Sequence, residues 1–172
     1  LWGLTYLSLG IIQKERAYNE GWQLAQERNH SPNRMEVKPS FANILVWKVI
    51  YETDEHYHVD AIRVGSSTKV YSGESIAKFD INRDLPWLEK NSQQAKDLER
   101  FRHFSNGYLA IHPNDKLSVI DVRYSMLPNQ IDPMWSIKLS PAATSESHAQ
   151  YITHRDNSPA TRQRFWNMLV DF

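Results

Sequence analysis

The sequence contains no cysteine, which rules out a disulfide framework and any thiolate-ligated metal and leaves no redox mark of compartment. It also lacks an excess of either charge: twenty Lys and Arg stand against twenty Asp and Glu in 172 residues. A chain so balanced has no broad field to hold a polyanion, which speaks against non-specific nucleic-acid binding and leaves only a local basic patch open. There is no Gly-rich phosphate loop, no GxSxG elbow and no HExxH helix, and Gly73-Glu74-Ser75 resembles none of them. No internal repeat or low-complexity tract occurs. The longest apolar stretch, Leu1 to Ile12, is too short for a bilayer span of about 20 residues. It has neither the basic start nor the small-residue cleavage site of a signal peptide. With no initiator methionine and no charge before Lys14, it reads as the tail of a last transmembrane helix, or alternatively as an apolar core helix.

What is present is enough for one ordinary domain, long enough to bury roughly 70% of its unfolded surface. The first helix turns amphipathic after Ile12, with Tyr18, Trp22 and Ala25 on one stripe, and His30-Ser31-Pro32-Asn33 ends it. A linker then runs to Pro39. Phe41 to Tyr51 is apolar on both alternating faces and reads as a covered central strand, followed by strands over His56 to Val64 and Thr68 to Tyr71. Helices are expected near Glu74 to Phe79 and from Asp84 to about Phe104, the second stopped by Asn106-Gly107. Strands resume at Tyr108 to His112, Lys116 to Ser125 and Met134 to Leu139. Residues 141–158, polar and without period, are expected to form a mobile loop. Ser158-Pro159 then starts a last helix, with Phe165, Trp166, Leu169 and Phe172 as its apolar face.

The expectation is therefore an α+β fold: residues 1–30 forming the end of a membrane-emerging helix, and residues 31–172 a single domain of one antiparallel sheet with about five or six strands and packed helices. Lys14, Arg16, Arg28 and Arg34 lie just past the apolar start, and the positive-inside tendency favours the cytoplasmic face.

Two patterns could carry chemistry. In His56-Tyr57-His58-Val59-Asp60 the alternation of a strand presents two imidazoles and a carboxylate on one face, a ligand set suited to a divalent metal such as zinc. The plainer reading is a hydrogen-bonded polar stripe. The second pattern is the pair of acid-base signatures Asp60-Ala61-Ile62-Arg63 and Asp121-Val122-Arg123-Tyr124. Asp121 and Arg123 should share a face, whereas Asp60 and Arg63 should point oppositely. They serve either as ion pairs within the sheet or as a binding site for a small polar ligand, with arginine as a forked donor and Trp47 nearby. All four are expected in one connected network. His30, His103, His112, His148 and His154 have no mutual spacing that suggests a site. The six tryptophans lack the basic interleaving of a base-stacking platform.

Several strings, LWGLTYLSLGIIQKERA, KPSFANILVWKVIY, YHVDAIRVG with VYSGES behind it, FSNGYLAI and VIDVRYSMLP, resemble the carboxyl-terminal part of a bacterial inner-membrane family known as LexA-binding, membrane-associated metal-dependent hydrolases. The similarity covers roughly residues 1 to 140, and it is the order of the strings that carries it. It implies transmembrane helices ahead of this stretch, bearing the family's candidate metal-binding histidines, and a water-exposed domain after them. Asp60, Arg63, Asp121 and Arg123 fall on matching strings; the His56 and His58 pair does not belong to the family pattern. The implied functions are an accessory domain binding a partner protein or a small polar ligand, or alternatively a hydrolytic domain in which a metal held by His56, His58 and Asp60 activates water.

Overall fold

Among the residues described by the computed structural model, 2–41 and 43–170, the strands pair into two four-stranded antiparallel sheets instead of the single sheet of five or six expected. Hydrophobic alternation marks which residues form strands but says nothing of their partners. The helical stretch after the fourth strand ends the first meander, and the later strands build a sheet of their own. The fold is α+β, with four helices.

The chain separates into two units, Leu1–Ser75 with Met126–Ile131 and Asp156–Phe172, and Ile76–Ser125 with Asp132–Arg155. The first contains α1 (Trp2–Glu27), β1 (Arg34–Pro39), β2 (Val46–Glu52), β3 (His56–Val64), most of β4 (Thr68–Ala77) and, near the carboxyl end, α4 (Pro159–Val170). Strand order in its sheet is β1-β2-β3-β4. The helix α1 packs on one face with Ala17 against Val37, Trp47, Val49, Ile62 and Val64, through the four-residue row Gln13, Ala17, Gly21 and Ala25. Gly21 is what allows the approach: a Cβ there would lie 2.8 Å from Val49 Cγ1 and 2.9 Å from Met35 Sδ. At the other end Gln13 donates to the Val64 carbonyl at 3.1 Å and Arg16 to that of Gly65 at 2.9 Å. The second face takes Met168 of α4 against Val46 and Ala61. Of the four residues expected to form the apolar face of α4, Trp166 points outward, 57% exposed, and Phe172 lies outside the described residues. No helix among the described residues is long and apolar enough to cross a membrane.

Several expected boundaries moved, each for a local reason. The linker before Pro39 contains β1, whose alternation is diluted by charge and proline as edge strands often are. The strand expected from Phe41 begins only at Val46, because Asn43 Oδ1 accepts from the amides of Leu45 at 2.9 Å and Val46 at 2.7 Å and holds a turn. Strand β4 runs on through the segment expected as a helix at Glu74.

The second unit holds α2 (Ile81–Asp84), α3 (Gln93–Phe104), β5 (Leu109–His112), β6 (Asp115–Asp121), β7 (Trp135–Lys138) and β8 (Gln150–Thr153), with strand order β5-β6-β7-β8. Asp80 caps α2 by accepting from Asn82 and Arg83, and Ser92 caps α3 by accepting from Ala95. The expected helix from Asp84 thus starts nine residues later, at Gln93, since Pro86 breaks the run. The stretch expected as a mobile loop contains β8, paired to β7. The core gathers Leu85, Leu98 and Phe101 of the helical side with Leu109, Val119 and Ile137 of the sheet.

Candidate functional site

The polar cluster of the first unit is built by strand register. Tyr51 stands opposite His58, and Val49 opposite Asp60, so His56, His58 and Asp60 share the face of Tyr51, as alternation requires. The helix α1 ends at Glu27, and Asn29 adopts the left-handed conformation, φ 57°, which asparagine tolerates at a helix end. That turn lays Arg28 and His30 over the same face. Arg28 forks onto Asp60 with bonds of 2.7 and 2.9 Å and reaches Tyr51 Oη at 3.2 Å. His30 Nδ1 meets the same hydroxyl at 2.8 Å, and His58 stacks between, 4.8 Å from the Tyr51 ring and 4.4 Å from that of His30.

The electrostatics follow from that packing. Burial, then the positive charges available to His30, His56 and Arg28, push His58 down to about 4, against the pull of Asp60. Burial raises Tyr51, while the Asp60 bond holds Arg28 firmly protonated. Asp60 is only 1% exposed, and its oxygens accept the arginine fork and the Gly73 amide at 2.9 Å. The expected metal set His56, His58 and Asp60 therefore shares a face but is incomplete as a ligand set, because its carboxylate is committed to Arg28. Among the described residues no group of three His, Cys, Asp or Glu is placed to hold a metal ion.

The two acid-base signatures part company. Asp60 pairs with Arg28, while Arg63, on the opposite face of β3, donates to the Leu169 carbonyl at 3.2 Å. In the second unit Arg123 wraps back on Asp121 with bonds of 2.9 and 2.7 Å and also donates to the Phe104 carbonyl at 2.8 Å. Both members are buried, so this is an internal ion pair. Within its own unit, each carboxylate has its own arginine.

Two of the histidines set aside from the sequence have definite places in the second unit. Ser136 Oγ lies 2.9 Å from His154 Nε2, the geometry of a nucleophile and base, but Ser136 is fully buried and so closed to a substrate. His148 and the Ala149 amide bond Asp97 at 2.9 and 3.0 Å. Burial raises this carboxyl, but the bonds from Gln93, Ala149 and His148 outweigh it and hold it below the usual range.

Of the predicted site residues, His56 is exposed to solvent and Trp47 borders a cleft. This cleft, of about 590 Å³, lies in the first unit between one side of α1, with Ile11, Lys14 and Tyr18, and the strand β1, with Ile44 nearby. Trp47 Nε1 is satisfied by the Ile44 carbonyl at 3.0 Å, so its indole offers an apolar surface there. Sequence reasoning missed Arg28, His30, Tyr51 and the helix wall of the cleft. The signal for the first two was Asn29 at a helix end, since it predicts where the chain turns but not over what.

Comparison with protein-family models, with curated proteins and with solved structures returns no match.

Proposed function

We propose that this chain is a binding part of a bacterial inner-membrane protein of the metal-dependent hydrolase type its strings resemble, and that the cleft beside Trp47 receives the ligand. The observation that carries this reading is the contrast between cleft and polar residues. The carboxylates on the matching strings are consumed by arginine, and Ser136, the hydroxyl beside His154, is fully buried. The cleft has the size of a ligand site, a few hundred to about 1,000 Å³, with an apolar lining and few polar groups. Leu9, Ile11 and Ile12 stay exposed on the same end of α1, which supports an approach of that end to the membrane, and the basic residues Lys14, Arg16, Arg28 and Arg34 favour its cytoplasmic side.

The test is titration with anilinonaphthalene sulfonate, a probe of apolar clefts. Saturable one-to-one binding is expected, lost in Gly10→Phe, which fills the cleft, and kept in His58→Gln. Unsaturable binding, or binding indifferent to Gly10→Phe, overturns the reading. Metal analysis of the purified chain with an esterase and phosphatase screen addresses the hydrolytic alternative: bound metal with turnover would replace the binding role by a catalytic one.

A further inference from the structure

Strand β1 is the edge of its sheet, and its pairing parity decides which backbone groups are left outward. Ser40 N–H bonds the Val46 carbonyl at 3.0 Å, and the register carries this pair on through Lys38 opposite Lys48 and Glu36 opposite Ile50. Across the next strand, Val64 N–H bonds Leu45 O at 2.7 Å and Thr53 N–H bonds His56 O at 2.9 Å. Odd positions of β2 thus turn to β3, and its even positions to β1. In an antiparallel ladder bonded and non-bonded pairs alternate, so the N–H and C=O of Met35 and Val37, with the Pro39 carbonyl, face away from the sheet. No other hydrogen bond to these groups is made among the described residues.

The opposite edge is treated differently. Residues 126–131 lie along β4: Asn129 Nδ2 donates to the Ser72 carbonyl at 3.2 Å, Ile131 N–H to Glu74 at 2.8 Å, and a Cβ on Gly73 would lie 2.3 Å from Asn129 O. Against β1 stands the cleft. One helix wall, with Ile11, Lys14 and Tyr18, faces five consecutive strand residues, Met35 to Pro39. An edge strand beside a helix is the geometry in which an added peptide strand is bound, main-chain bonds giving affinity and alternate side chains specificity.

Resting on the binding reading above, we propose that the occupant is an extended segment of a partner protein, added as a further strand on Met35 and Val37. Its apolar side chains lie against Ile11, Tyr18 and Trp47, and an acidic one reaches Lys14. Water can satisfy these groups singly, but another extended backbone matches all of the donors and acceptors at their two-residue spacing at once. Lys14 lines the cleft without an ion-pair partner among the described residues, so it supplies the charge that selects an acidic peptide. A second copy fits less well: in a twofold pairing about Val37, Met35 would oppose Pro39, whose missing N–H leaves a carbonyl unpaired. Lys38 and Pro39 close the far end of the edge, which limits pairing to one short register.

The probe is a synthetic capped peptide, Asp-Val-Thr-Val-Thr-Val, titrated into the isotope-labelled chain, with the same peptide N-methylated at alternate residues as control. Hydrogen exchange at the Met35 and Val37 amides is expected to slow at least ~10-fold with the first peptide, as for newly bonded amides, and to stay unchanged with the second. Val37→Pro removes an outward N–H while sparing the bonds to β2, and should lose peptide binding; the methylated peptide keeps the test valid if that variant fails to fold. Unchanged Met35 and Val37 amides in a chain that still binds anilinonaphthalene sulfonate sink the peptide inference and leave the cleft reading standing. Failure of both probes removes both. Protection of the same amides without peptide, rising with protein concentration, would make the occupant a second copy and overturn the proposal.

Discussion

Each unit buries one carboxylate on its sheet and neutralises it with a forked arginine, yet the two arginines come from different distances. Arg123 is two residues from Asp121, so the second unit solves its charge problem within one turn of chain. Arg28 is thirty-two residues from Asp60 and arrives from the end of α1. The first device works in any context that keeps the turn. The second exists only once the helix has docked, and it therefore reports on docking as well as charge. Exposure separates them further: the Arg123 side chain is 9% exposed and that of Arg28 30%, so water can reach the vacancy left by one more easily than the other.

The largest effect is expected from Arg123→Ala. It leaves Asp121 buried beyond the reach of solvent, and removal of one partner of such a pair costs about 3 to 5 kcal/mol. Denaturant unfolding measures it; a loss below about 1 kcal/mol would place this pair with surface ion pairs. Arg28→Ala should cost less, about 2 to 3 kcal/mol, because Asp60 keeps the Gly73 amide and gains water. If the order is reversed, the long-range arginine carries docking energy beyond its charge, and faster exchange of the α1 amides would show it.

Smaller still is Arg28→Lys, which keeps the charge and gives up the fork. A loss of about 1 kcal/mol is expected, and no loss at all would mean that the second bond to Asp60 is dispensable. A last test of the first unit uses pH. His58 has its pKa lowered from 6.5 to about 4, so between these values the unfolded chain binds a proton that the folded one refuses. Its contribution is complete above pH 6.5 and is lost as pH falls toward 4. Denaturation at pH 7 and 4.5 should show a steeper loss for the parent than for His58→Gln. An NMR titration placing His58 near 6.5 would refute the packing account of its shift.

How much of this was legible varies with the range of the interaction. The shared face of His56, His58 and Asp60 and the opposed directions of Asp60 and Arg63 follow from strand alternation, whereas β6 ends at Asp121 and the bond from Arg123 is made by the turn after it. The proline break before α3 was also open to reading, yet the competing cap at Asp84 obscured it. His30 could not be assigned, because its partners Tyr51 and His58 lie more than twenty positions on and no spacing rule reaches that far. The cleft was visible only through Trp47, whose indole was expected near a site for a different reason, beside the arginine pairs.

The amino-acid sequence by itself determined the α+β class, most strand positions and the shared face of His56, His58 and Asp60, because backbone geometry sets directions at short spacing whatever the surroundings. The tertiary structure decided that the strands form two sheets, that Arg28 rather than Arg63 holds Asp60, and that β1 is left as an open edge beside α1. Those outcomes depend on which distant segments bury each other, a competition among many packings of similar local quality that no local pattern resolves.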